Sequence, residues 1–233
     1  MSMTSLVFGV GAIGFTASAF LYAIGAVLVY SSRSVKGQGQ WLVLALSASS
    51  LWACYALLAL FVPGAWTRWL LVADGLHAAV WVGFVASMLS GSIRAQPVHR
   101  IGHALLAAAL VAVGTVAYSA LADNGVAADG GLRQLGLAAM LLLPLLGVLA
   151  LEQVFRNTGF EHRPMLRPLL IGVGMIFAVD VFIYSQALLF SGIDGNLWLL
   201  RGAANAIAAP VIFVAAKPAP NSIPLIVPID ISP

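Results

Sequence analysis

Charge is what this chain has least of. Lys, Arg, Asp and Glu make up only 8% of its 233 residues, where a soluble domain carries roughly a quarter. That scarcity rules out a water-solvated surface over most of its length. Cysteine is nearly missing too. Cys54 stands alone, so no intrachain disulfide can form, and its place inside an apolar run reads as a small core residue. No nucleophile–base constellation, glycine-rich phosphate loop or metal-ligand spacing appears. No catalytic or metal-binding residue is therefore assigned, no cofactor is expected, and the chain by itself is not expected to be an enzyme. The net charge of +3 is small and its basic residues lie mainly in loops, which argues for membrane orientation and against a nucleic-acid partner.

What fills the chain instead is hydrocarbon. Apolar residues account for 61% of it, gathered in runs of about twenty, the length that crosses a bilayer as a helix. Seven such runs are read: Leu6–Tyr30, Trp41–Val62, Trp69–Leu89, Ile101–Leu121, Leu132–Leu151, Leu169–Phe190 and Leu197–Ala216. The fold class is all-α: a polytopic membrane protein with a seven-helix transmembrane domain over residues 1–216. The N-terminus has no basic stretch and no small-residue cleavage site, so the first span is expected to be retained. Gly9, Gly11, Gly14 and Gly25 give that span small residues for close helix contact. Pro63-Gly64 breaks the chain after the second span. Trp66 and Trp69, flanking Arg68, read as an interfacial belt. Pro144 predicts a kink in the fifth span. Glu152–Arg167 reads as the most charged loop, and Ser191–Asn196 as a short turn. The prolines of residues 217–233 exclude a continuing helix and read as an extended tail or linker.

The basic residues set the expected orientation. Arg33, Lys36, Arg94, Arg100, Arg156, Arg163, Arg167 and Lys217 fall on one side, and only Arg68, Arg133 and Arg201 on the other. Eight against three places the first side in the cytoplasm, with the N-terminus outside and the C-terminus cytoplasmic.

A carboxylate deep in a span must be paired, protonated or facing a wet cavity, and Asp180 lies near the middle of the sixth. Tyr184 follows it by four residues and shares its face. Asp74 and His77 share a face of the third span, and Arg201 and Asn205 one of the seventh. These six are expected to form an outward-facing polar cluster in which Arg201 neutralises Asp180 or Asp74, since an unpaired ion there costs several kcal/mol. As a site, the cluster senses a ligand or a proton. The plainer alternatives are an interhelical ion pair without a ligand, a polar pair near the headgroups, and independent snorkelling. At the inner end of the fifth span, Glu152, Gln153, Arg156 and Asn157 form a charged helix end with an i,i+4 ion-pair spacing. It reads either as a coupling element to the cytosol or as a solvated terminus. Retinal is not expected, because Lys217 lies at the very end of the last span. No internal repeat points to a transporter.

The last third carries a resemblance. LEQVFRNT at 151–158, RPLLIGVGMIFAVDVFIYSQALLF at 167–190 and IDGNLWLLRGAANAIAAPVIFVAAK at 193–217 resemble the N-terminal membrane region of the PrsK-type sensor histidine kinases of the exosortase A / PEP-CTERM system. In the earlier spans the likeness is mainly one of hydropathy and order. The resemblance implies a sensory module in a bacterial inner membrane, passing a helix shift to a cytosolic kinase domain, with Asp180, Tyr184, Arg201 and Asn205 sensing and Glu152, Arg156 and Asn157 coupling. The sequence ends at Pro233 without a phosphoacceptor histidine motif or ATP-lid glycines, which leaves a second expectation: an accessory subunit of a larger membrane complex. Expected partners are the lipid bilayer, a cytosolic kinase domain or other membrane subunits, and a second copy of the chain.

Overall fold

A computed structural model of the protein describes residues 3–31, 38–62, 65–90, 96–122, 130–160 and 163–216. They form seven helices: α1 (Met3–Ser31), α2 (Gln38–Phe61), α3 (Ala65–Ser90), α4 (Gln96–Ala122), α5 (Gly130–Asn157), α6 (Arg163–Leu189) and α7 (Gly195–Ala216). All seven are long and apolar enough to cross a membrane. Helix is what such sequences must form in lipid, where each backbone N–H and C=O needs a partner within its own segment. The expected break at Pro63-Gly64, loop residues Arg33, Lys36 and Arg94, and the tail 217–233 lie outside the described residues, as do the side chains of Trp66, Arg68 and His99.

The helices extend past their apolar runs, and this corrects the reading of Glu152–Arg167 as a loop. Glu152 to Asn157 belongs to α5, and α6 begins at Arg163. Solvated charged side chains cost a helix end little, so hydropathy marks the bilayer and not the helix terminus. Thr158 Oγ1 donates to the Val154 carbonyl at 2.6 Å, and Arg163 Nε donates to the Thr158 carbonyl at 3.0 Å. Pro144 lies inside α5, which continues through it.

Helix α1 packs on α2 and α7, and α7 on α6. Helix α3 touches α2, α4 and α5, and α5 touches α6. The chain thus closes a ring of α1, α2, α3, α5, α6 and α7, with α4 held outside in the angle between α3 and α5. Large apolar side chains such as Ile13, Phe20, Leu51, Val111 and Ile171 are exposed on the outside. Such surface is untenable in water but suits hydrocarbon.

Small residues set the closest approaches. A Cβ at Gly14 would lie 2.5 Å from the Ala203 nitrogen and 2.6 Å from the Gly202 carbonyl carbon, so α1 and α7 meet backbone to backbone. Gly11 admits Leu199, and Gly25 admits the Phe213 ring. Gly9 faces open space and takes no part in this seam. Ser18 Oγ donates to the Gly202 carbonyl at 2.9 Å along the same contact.

Cys54 corrects a second expectation: it is exposed. On α2 it shares a stripe with Leu44, Leu51, Leu58 and Phe61, all turned outward, while Trp52, Ala53 and Ala56 face the core. Both faces of the helix are apolar, so composition could not tell lipid from core. Cys54→Ala is expected to change stability by less than about 0.5 kcal/mol. A shift in the thermal melt of the detergent-solubilised protein well beyond that would contradict the outward placement.

Candidate functional site

The turn before α7 fixes the depth of its arginine. Helix α6 ends with Ser191 in the left-handed region (φ 56°) and the Gly192 amide donating to the Ala187 carbonyl at 3.0 Å, a Schellman-type stop. Asp194 then caps α7, its Oδ1 accepting from the Asn196 amide at 2.8 Å. Arg201 follows one and a half to two turns later, about 9 Å along the axis from Gly195. Its side chain is fully buried.

Arg201 is the hub of the bundle. Nη1 donates to Asp74 Oδ2 at 2.6 Å, and Nη2 lies 2.8 Å from Asp180 Oδ1. One guanidinium therefore serves two carboxylates, where the sequence reading offered one or the other. The two pairings differ in kind. Asp74 also accepts from Trp52 Nε1 at 2.5 Å, Tyr184 OH at 2.9 Å and Trp198 Nε1 at 3.2 Å. Asp180 has only the Arg201 ion pair, and among the described residues no other donor reaches its oxygens. Both aspartates are only 1% exposed. The guanidinium also lies over the Trp52 ring at 5.1 Å and the Tyr184 ring at 5.5 Å, contacts that suit a weakly hydrated planar cation. Four helices (α2, α3, α6 and α7) thus meet on one buried charge.

Asp74 and His77 share a face of α3 as expected but do not form a direct pair. Trp52 stands between their roles. Its ring stacks on the imidazole at 4.4 Å with an 11° tilt, while its N–H goes to Asp74. His77 Nε2 lies 3.1 Å from Ser49 Oγ. The Ser49 hydroxyl hydrogen is directed to the Ala45 carbonyl at 2.8 Å, and Trp81 Nε1 donates to Ser49 Oγ at 2.9 Å. Trp81 Nε1 also reaches His77 Nε2 at 3.3 Å, so Ser49 and Trp81 together hold one edge of the imidazole, and among the described residues Nδ1 has no hydrogen-bond partner. Asn205 sits one turn below the hub. Its Nδ2 donates to the Arg201 carbonyl at 3.0 Å, and its Oδ1 accepts from Tyr22 OH at 3.0 Å.

The expected residues are therefore brought together, and the bundle encloses them. Asp74, His77, Asp180, Tyr184, Arg201 and Asn205 are each at most 2% exposed, which overturns independent snorkelling. Ions at membrane depth are stabilised by partners from other helices more than by a reach toward water. Trp52, Trp81, Trp198, Tyr22 and Ser49 were missed. A signal existed: an indole or phenol far from the headgroup belts needs an acceptor inside the bundle.

Glu152 and Arg156 form their ion pair at 2.6 Å, and Gln153 and Asn157 are half-buried beside it. With the Glu152 side chain 46% and that of Arg156 70% exposed, the pair is worth less than about 1 kcal/mol. Glu152→Gln is expected to leave the melting temperature nearly unchanged, and a large drop would mean a buried role. This helix end and the hub occupy opposite ends of the bundle. Asp180 lies seventeen residues, about 25 Å, from the start of α6. No family model, no curated protein and no solved structure matches this chain.

Proposed function

We propose that this chain is a multi-pass sensory module of a bacterial inner membrane, with the N-terminus outside and the C-terminus cytoplasmic, that transmits a helix shift to a cytosolic kinase domain. The observation that carries this reading is the shared guanidinium. Asp74 on α3 and Asp180 on α6 draw on the same Arg201, one within a shell of four donors and the other through the Arg201 ion pair with no further donor among the described residues. A change that weakens one pairing moves α6 relative to α3 and α7, the kind of discrete rearrangement that switches use. The α6 helix carries that movement to the α5–α6 turn beside Glu152, Gln153, Arg156 and Asn157. The sequence resemblance of residues 151–217 to PrsK-type sensor regions supports the same role.

The test is Asp180→Asn in the chromosomal gene, with autophosphorylation of the associated kinase followed in membrane vesicles before and after an envelope challenge. Phosphorylation held at one level in both conditions is the expected result. A response equal to that of the unmodified protein would sink the proposal. A second reading, an accessory subunit of a larger complex, is favoured by the broad apolar outer faces of α1 and α4, where Ile13, Phe20, Leu110 and Val111 stand exposed. Purification from native membranes in mild detergent separates the two. Kinase peptides co-migrating with the chain support the sensor, and a large assembly without them supports the subunit.

A further inference from the structure

A cleft of about 430 Å³ opens between α1, α2, α3 and the start of α7. That is the size of a small-molecule site. Phe8, Ala59, Leu60, Leu70 and Leu199 line it with hydrocarbon, joined by Trp198. Trp198 belongs to two places at once, because its indole nitrogen donates to Asp74 Oδ2 at 3.2 Å. Whatever presses on this side chain presses on a donor of the Arg201 hub. The lining also has a polar part, Asp194, Gly195 and Asn196. The first-turn amide of Asn196 is already answered by Asp194 Oδ1, so among the described residues the charge left at the lining is a carboxylate. An apolar cleft with one carboxylate in its lining suits a hydrocarbon chain bearing a cationic head, and it disfavours an anionic head by like-charge repulsion.

We infer that this cleft binds a long-chain amphiphile with an amine head group and reports its presence to the Asp74–Arg201 pair through Trp198. The reporting half rests on the sensory reading above. The binding half does not, and it is measured alone. The full chain in phosphatidylcholine nanodiscs is labelled with a diazirine-bearing hexadecylamine and, separately, with the matching hexadecanoic acid, and the labelled peptides are identified by mass spectrometry. The amine is expected to label the segments around 57–61 and 194–199 saturably, at least about tenfold more than the acid, a gap of about 1.4 kcal/mol. Ala59→Phe fills the cleft and abolishes that labelling. Leu60→Trp, at a half-buried position, serves the same end if the first variant does not fold. Asp194→Asn keeps an equally good helix cap and removes only the preference for the amine. Equal labelling by acid and amine, or labelling spread over the outer faces of all helices and unchanged by both filling variants, overturns the proposal. Saturable amine labelling without any change in kinase output in vesicles keeps the binding site and removes its sensory role.

Discussion

Replacing Arg201 by methionine is expected to destabilise the bundle by about 3–5 kcal/mol, because it leaves Asp74 and Asp180 buried without their cation. The measurement is equilibrium unfolding in mixed micelles on titration with a denaturing detergent, followed by far-ultraviolet circular dichroism. Arg201→Lys is expected to fall between the two. Arginine reaches Asp74 with Nη1 and Asp180 with Nη2, and a single ammonium cannot place separate donors on carboxylates from two helices. Asp74→Asn should cost more than Asp180→Asn. Four donors converge on Asp74, from Trp52, Tyr184, Trp198 and Arg201, and an amide turns one of its two acceptors into a donor facing them. Asp180 is surrounded by no such shell. The triple variant Asp74→Asn, Asp180→Asn, Arg201→Met buries no ion and should recover much of the loss, as replaced ion pairs often do. If Arg201→Met unfolds at the same detergent fraction as the unmodified chain, the hub does not hold the bundle together.

Gly14→Ala should loosen the seam between α1 and α7. Alanine is the better helix former by about 1 kcal/mol, so propensity alone predicts a gain. Contact decides otherwise. The new methyl group would meet the backbone of Gly202 and Ala203, which cannot rotate aside as a side chain can. Overpacking of this kind costs about 1–3 kcal/mol, and a larger side chain such as leucine falls at the upper end. Separation of the helices also strains the Ser18 bond to the Gly202 carbonyl and the Tyr22 bond to Asn205. Gly9→Ala and Gly114→Ala meet open space and should be neutral or slightly stabilising. The thermal melt of the three variants in one detergent checks the ranking. A Gly14→Ala melt as high as that of Gly9→Ala would show that the backbones do not touch there.

The sequence by itself determined the seven helices, because a run of twenty apolar residues has one structural solution in hydrocarbon. It also identified which polar residues must find each other. Asp74, Asp180 and Arg201 are too costly at membrane depth to stand alone, and the i,i+4 spacings of Asp180–Tyr184 and Arg201–Asn205 fixed which faces carry them. Tertiary structure alone decided how they pair. Nothing along the chain says that one guanidinium bridges two aspartates, that Trp52 takes Asp74 from His77, or that Ser49 and Trp81 hold the imidazole. Apart from Trp81 and His77, one turn apart on α3, those contacts join residues 21 to 127 positions apart, or depend on the rotation of a helix about its own axis. In a helix apolar on every side, that rotation leaves no trace in composition. Cys54 turned to the outside for the same reason that Gly14 turned to α7: the packing of neighbouring helices, and not hydropathy, chooses the face.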